Sequence, residues 1–263
     1  MGCKVTPLWW GELHDHDRQE PFNVEVEGNS MNVQSLQLDT DPITVGGLDS
    51  ARVWDYENGY HWFSTPSRMH KMLAQYELYR QTIGLPGHVL EFGVYKAVSL
   101  IRLASYRQLL EVDHSRKIVG FDAFGGFPVD GLSLSADLDF VEGFEREGGD
   151  GLAARDVLRI LQRKGFTNID LISGNIFDTL PRYLEQHPEL RVSYLHLDMD
   201  VKEPTELVLQ LVYDRVVSGG LIVLDDYGTV VGETLAVDAF ARERNLKIEK
   251  LSNYLIPAYI RKL

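Results

Sequence analysis

The sequence predicts an α/β fold: a mostly parallel sheet with helices on both faces and a reversed last strand, preceded by an N-terminal arm. Three observations predict it. From about residue 61, short apolar runs alternate with helical segments in five strand–helix units. The final 18 residues, LKIEKLSNYLIPAYIRKL, read as two strands with no helix between them. Residues 1–60 differ from both in charge and in pattern.

That first segment holds 11 acids against three bases, which is eight of the chain's 13 net negative charges. Its short alternating pieces, FNVEVEG and SLQLD, suit one or two short strands, and no helical period is visible. It reads as an arm over 1–60, acting as a lid or an oligomer contact, or else as a loosely ordered tail. The domain proper is 61–263.

A helix is expected from Ser67 to about Ile83, where Met69, Met72, Leu73, Tyr76 and Tyr79 recur at helical spacing. Thr65-Pro66-Ser67 starts it and Gly84-Leu85-Pro86-Gly87 stops it. A strand follows at His88–Val94, then a helix at Ala97–Leu110 and a strand at Lys117–Phe124. The Gly-, Asp- and Phe-rich stretch 125–151 reads as a long loop, either an acceptor-covering lid or a small satellite core around Phe124, Phe127, Phe140 and Phe144. A helix is expected over 152–164, a strand at Ile169–Ser173 and a helix at Ile176–Gln186. Val192–Asp198 and Leu221–Leu224 are strands, followed by helices at Pro204–Val217 and Glu233–Arg244. Such sheets require right-handed crossovers and bind ligands beyond the carboxyl ends of their strands.

The 263 residues carry a net charge of −13, with 44% hydrophobic and 25% charged residues. These proportions exclude a disordered chain or a rod. Nothing approaches the roughly 18 uninterrupted apolar residues of a membrane span. The charge argues against nucleic acid as a partner. One cysteine, Cys3, excludes an intramolecular disulfide and a multi-thiolate metal site. MGCKVT fits a myristoylation pattern with Cys3 as a second acyl site, but the expectation is an unlipidated cytoplasmic protein without a signal peptide.

The strand ends carry the chemistry. The first ends in Glu91-Phe92-Gly93-Val94, which is neither a dinucleotide fingerprint nor a phosphate loop. An acid there suits a cationic ligand. The second ends in Asp122-Ala123-Phe124; Asp122 suits ribose hydroxyls, or else caps the next loop. The third ends in Ser173-Gly174-Asn175-Ile176, where polar and apolar groups suit an adenine ring, or Asn175 is a helix N-cap. The fourth ends in Asp198-Met199-Asp200 and the fifth in Asp225-Asp226-Tyr227-Gly228. Neighbouring parallel strands bring these four carboxylates together, which is costly without a cation. An all-oxygen set favours a hard ion such as Mg²⁺. His196, in mid-strand, reads as a satisfied core histidine, and the other histidines show no metal spacing.

The series GHVLEFGVYKAVS, IVGFDAFGGFP, LISGNIFDTLP, LHLDMDVKEPT and GGLIVLDDYG resembles the macrocin O-methyltransferase family, from about Thr65 to the C-terminus. The resemblance implies a Rossmann-like class I methyltransferase sheet, S-adenosylmethionine and Mg²⁺ as cofactors, and a sugar hydroxyl as acceptor. It implies that Glu91 and Gly93 line the methionine end, that Asp122 holds the ribose, and that Gly174, Asn175 and Ile176 lie near the adenine. Thr65, Val94, Ser99, Ala123, Phe124 and Asp198 complete the expected cofactor set. Asp198, Asp225 and Asp226 match the family's metal ligands. Asp200 matches the position proposed as general base in part of the family, and Asp198 in the rest. Tyr95-Lys96-Ala97 stands where many members have a small or Gly-rich turn.

The expected reaction is displacement of a methyl group from a sulfonium by a sugar hydroxyl, with an acceptor bearing a vicinal diol. Acceptors in view are a deoxysugar nucleotide, with Lys202 and Arg182 meeting its phosphates, or a glycosylated natural product. His61-Trp62-Phe63 is a candidate cover for the cofactor. A homo-oligomer, a dimer or larger, is expected. Rival readings are a Mg²⁺-dependent methyltransferase of catechols or phenols and a non-catalytic cofactor-binding protein on the same fold. A Rossmann dehydrogenase is disfavoured by the missing glycines.

Overall fold

The computed structural model describes residues 30–33 and 41–263. The acylation pattern at the start of the chain and most of the arm lie outside the described residues. The arm contributes a strand β1 (Ser30–Val33) and a two-residue hairpin, β2 (Thr44–Val45) and β3 (Leu48–Asp49). A helix α1 (Val53–Phe63) follows. The sequence reading has no helix here, and its division at residue 60 falls inside this one. The apolar period is missing because α1 has no buried face to encode: none of its residues is buried.

The next elements follow the predicted alternation. They are α2 (Pro66–Arg80), β4 (His88–Phe92), α3 (Val98–Leu110) and β5 (Ile118–Asp122). The expected loop over 125–151 instead contains a helix, α4 (Ser135–Gly148). Leu138, Val141 and Phe144 do recur at helical spacing, but Gly143 and Gly148, poor helix formers, mask the signal. Then come α5 (Ala154–Arg163), β6 (Ile169–Ser173), α6 (Ile176–Gln186), β7 (Val192–Leu197) and α7 (Lys202–Val212). β8 (Val216–Leu224) is longer than expected. Its Gly219-Gly220 pair sits where the register with β7 shifts, a bulge that interrupts the apolar run. α8 (Val231–Arg244), β9 (Ile248–Lys250) and β10 (Ala258–Arg261) end the chain.

The sheet order is β1-β6-β5-β4-β7-β8-β10-β9. The five strands from β6 to β8 are mutually parallel, and β10 is antiparallel to β8. The reversed last strand is therefore as the sequence predicts, and β1 adds an antiparallel edge beside β6. Two cores cover the faces. One packs Leu90, Phe92, Leu195 and Leu197 with α6, α7 and α8. The other packs Val89, Ile118, Tyr194 and Val223 with α2, α3 and α5. Strands buried on both faces read as continuous apolar runs, which is why they are visible in the sequence. Among the described residues no helix is long and apolar enough to cross a membrane.

Candidate functional site

The carboxyl ends of β4 to β7 open into a cleft, roofed by the segment that carries α4. Tyr95, Phe127 and Phe144 give it an aromatic wall, with the Tyr95 and Phe144 rings 4.9 Å apart. Tyr95 Oη donates to the Gly148 carbonyl at 2.8 Å, which ties the end of α4 to the turn after β4. Six acids, Asp122, Asp130, Glu145, Asp150, Asp198 and Asp200, line the cleft, and among the described residues no lysine, arginine or histidine does.

The four aspartates do converge. One carboxylate oxygen each of Asp198, Asp200 and Asp226 lie within 4.8 Å of one another, and so do ligand atoms of His196, Asp198 and Asp225. Burial, followed by the charge of Asp225, holds the Asp198 carboxyl well above its ordinary range. Burial and Asp226 do the same to Asp200, and burial and Asp225 raise Asp226. Asp225 is the exception. Burial works against its charge, but His196 and Lys71 outweigh burial and hold it below the carboxylate range. Asp200 has a φ of 63°, left-handed backbone that aspartate tolerates better than most residues.

Three residues that the sequence reading leaves outside the site belong to this cluster. Lys71, from α2, donates to Asp225 Oδ2. Nothing in the helical pattern singles it out. His196 is indeed a satisfied core histidine, but carboxylates satisfy it: Nδ1 lies 3.1 Å from Glu91 Oε1 and Nε2 3.3 Å from Asp225 Oδ1. Strand alternation, which puts His196 and Asp198 on one side, is the signal that could have found it. Glu233 is fully buried in the first turn of α8. Its Oε1 accepts from Asp226 N at 3.2 Å, and its Oε2 has no partner.

The residues expected at the cofactor are placed unevenly. Gly93, Asp122, Ala123, Gly174, Asn175, Ile176 and Asp198 line the cleft. Glu91 does not; it is fully buried behind the cleft wall on His196. Val94 is also buried and Ser99 lies in the first turn of α3. Phe124 is buried in the core and does not line the cleft; its φ is 55°. Thr65 is the N-cap residue of α2, its Oγ1 2.6 Å from Ser67 Oγ, away from the cleft. Asp122 does cap the following turn, since Oδ1 accepts from Phe124 N at 2.5 Å. Its Oδ2 accepts from Val94 N and Tyr95 N at 2.8 and 2.9 Å. Asn175 is the side-chain cap of α6, bonded to Phe177 N at 3.0 Å. Gly93, with a φ of 91°, is required by the backbone: a Cβ there would lie 1.8 Å from the Asp198 carbonyl oxygen. Arg182 is exposed on α6 and Lys202 lies 3.6 Å from Glu206, so neither lines the cleft.

A parallel sheet with this strand order, a reversed last strand and a cleft at the carboxyl ends of its strands defines the class I S-adenosylmethionine-dependent methyltransferase fold. The macrocin-O-methyltransferase (TylF) family model matches residues 61–259, and the chain belongs to that family. The calicheamicin methyltransferase CalS11 is similar at 26% identity, over 85% of this chain and 88% of that one, with a TM-score of 0.58. An apo structure of CalS11 describes it as a TDP-rhamnose 3'-O-methyltransferase. The O-methyltransferase NovP shares the fold, with a TM-score of 0.63 and 21% identity over 73% of this chain and 78% of that one. A Streptomyces olivaceus 8-demethyl-8-(2,3-dimethoxy-alpha-L-rhamnosyl)-tetracenomycin-C 4'-O-methyltransferase is 28% identical over 148 residues, 55% of this chain and 54% of that protein. The chain thus spans about half the length of the curated relative it matches.

Proposed function

We propose that this protein transfers a methyl group from S-adenosylmethionine to a sugar hydroxyl, with Mg²⁺ at the carboxylate cluster. The observation that carries the reading is the convergence of Asp198, Asp200, Asp225 and Asp226 at the ends of two adjacent strands. The donor set fits a hard divalent ion: oxygen donors, three carboxyls raised by burial and then by mutual repulsion, and a lysine ammonium already drawn to the fourth. Asp198, Asp225 and Asp226 would hold the ion. Bound there, Mg²⁺ would lower the pKa of an acceptor hydroxyl and offset the carboxylate charge. Asp200, with Asp198 as its alternative, accepts the hydroxyl proton. Gly93 and Asp122 take the methionine and ribose of the cofactor, and Gly174, Asn175 and Ile176 its adenine. The acid-lined wall favours the sulfonium over the neutral product, which assists release but not the chemical step.

The same lining bears on the acceptor. With Asp122, Asp198 and Asp200 assigned to the ribose, the ion and the proton, a sugar diphosphate would still face Asp130, Glu145 and Asp150 and, among the described residues, no lysine, arginine or histidine in the cleft wall. Residues outside the described set supply two bases, Lys4 and Arg18, against seven acids. This favours a neutral or cationic glycoside, its aglycone against Phe127 and Phe144, over a sugar nucleotide. Trp54, Trp62 and Phe63 are 72%, 70% and 82% exposed on α1, which supports pairing with a second copy there; light scattering of the purified chain tests it.

Titration of S-adenosylhomocysteine and turnover with a panel of rhamnosides, deoxysugar nucleotides and catechols test the reading as a whole. Asp198→Ala and Asp226→Ala are expected to abolish Mg²⁺-dependent transfer and to leave cofactor binding largely intact. Full activity of these variants in EDTA rejects the metal, and turnover of catechols alone rejects the sugar.

A further inference from the structure

The two helices that follow the carboxylate pairs start without caps of their own. The N-cap residues of α7 and α8 are Val201 and Val230, and neither can accept a hydrogen bond through its side chain. The acid that fills this place comes from a distant segment. Asp137, in the first turn of α4, is 1% exposed, and its Oδ2 accepts from Lys202 N at the start of α7 at 2.8 Å. Its other oxygen lies against the first turn of α8. A Cβ on Gly232 would stand 2.3 Å from Asp137 Oδ1 and 2.5 Å from Oδ2. One carboxyl is therefore lodged between two helix N-termini: Oδ2 bonds to α7, while Oδ1 is buried against α8 without a hydrogen-bond partner, and burial raises its pKa despite the bond from Lys202 N. A second bond runs the opposite way: Glu203 Oε1 in α7 accepts from Ser133 N and Ser133 Oγ, just before α4.

We propose that Asp137 is a positioning residue that clasps the acceptor-covering segment 133–148 onto the loops carrying the carboxylate cluster. α7 begins two residues after Asp200, and α8 returns to the cluster through Glu233, whose N–H donates to the Asp200 carbonyl at 2.9 Å. Asp137 thus fixes the roof of the cleft to its catalytic floor. Gly232 is the matching element, because any side chain there would expel the carboxylate. This rests on the proposed function, in which the acceptor lies in the cleft beside the cofactor, against Phe127 and Phe144.

The test compares Asp137→Ala, Gly232→Ala and Asp137→Asn in the full chain. Readouts are amide hydrogen exchange, S-adenosylhomocysteine affinity, and KM and kcat for methyl alpha-L-rhamnoside. Loss of the bond to Lys202 N is expected to raise acceptor KM about tenfold in both alanine variants, with kcat changed less. Exchange over 133–148 quickens while S-adenosylhomocysteine affinity holds. Asp137→Asn keeps an acceptor oxygen for Lys202 N and stays within about threefold of the parent. Unchanged exchange over 133–148 in both alanine variants, or a uniform rise along the whole chain, overturns the clasp. If Asp137→Ala does not fold, Gly232→Ala and Asp137→Asn decide. Should the parent methylate no rhamnoside, the functional reading fails, and the exchange measurement still decides the clasp.

Discussion

His196 stands 3.3 Å from Asp225, and on its other side reaches Glu91, so one buried imidazole joins the carboxyl end of β4 to that of β8. Burial opposes the imidazolium, but hydrogen bonds to Asp225 and Glu91 outweigh it and raise the His196 pKa to about 9. A histidine raised above its unfolded value of about 6.5 contributes stability that is complete below that pH. The contribution is lost as pH rises through about 9. His196→Gln, which removes the imidazolium from Glu91 while Lys71 still pairs Asp225, is expected to cost about 3 kcal/mol at pH 6. Urea denaturation at pH 6 and pH 9.5 checks it: the gap between parent and variant should narrow at the higher pH. A gap independent of pH would mean that the imidazole is neutral.

Lys71 makes a second prediction. Its ammonium is 21% exposed, and burial opposes its charge, yet Asp225 and Asp198 raise its pKa above the lysine range. It acts as the counter-cation of an otherwise repulsive cluster. Lys71→Met is expected to lower stability by about 3 kcal/mol at pH 8 in EDTA. Millimolar Mg²⁺ should recover more stability in the variant than in the parent, since the ion no longer competes with a tethered ammonium. Thermal melts with and without Mg²⁺ measure both. Equal Mg²⁺ responses would show that Lys71 and the ion do not share Asp225.

Much of this arrangement was legible because the sheet is buried on both faces. β6 and α6 fall at the residues their apolar runs and flanking turns mark, and the aspartate pairs lie at strand ends because parallel strands end where ligands bind. What escaped is what periodicity does not encode. α1 buries nothing, so it has no stripe. α4 carries two glycines, and at one of them, Gly148, a Cβ would stand 2.5 Å from the Tyr95 hydroxyl. Lys71 and Asp137 act across gaps of 154 and 65 residues, where only the fold brings the partners together. Glu91 shows the opposite error: its place at a strand end is right, but its side chain turns inward to His196.

Gly93 offers a sharp backbone test. Its φ of 91° and the 1.8 Å approach of the Asp198 carbonyl to a Cβ make substitution doubly unfavourable. Asp198 N in turn donates to the Phe92 carbonyl at 2.9 Å, so the two strand ends are fastened at this point. Gly93→Ala is expected to lose more than about 2 kcal/mol and to reduce S-adenosylhomocysteine affinity, because the end of β7 must retreat. Calorimetric binding and denaturant melts check it. An alanine variant of normal stability and affinity would mean that the turn relaxes freely.

Asp122 carries the last prediction. Its Oδ2 has both lone pairs committed to Val94 N and Tyr95 N, and Oδ1 accepts one bond from Phe124 N. One acceptor site on Oδ1 therefore remains for a ribose hydroxyl. The residue builds the turn and, in the proposed function, also meets the ribose; the two roles separate experimentally. Asp122→Asn turns an amide NH₂ toward backbone donors and is expected to weaken S-adenosylhomocysteine binding about tenfold or more. A 2',3'-dideoxyribose analogue lacks the hydroxyls, so the part of the loss owed to ribose vanishes for it, and the part owed to turn geometry stays. A markedly smaller loss for the analogue assigns Asp122 to the ribose. Identical losses for both ligands would reduce it to a scaffold of the turn.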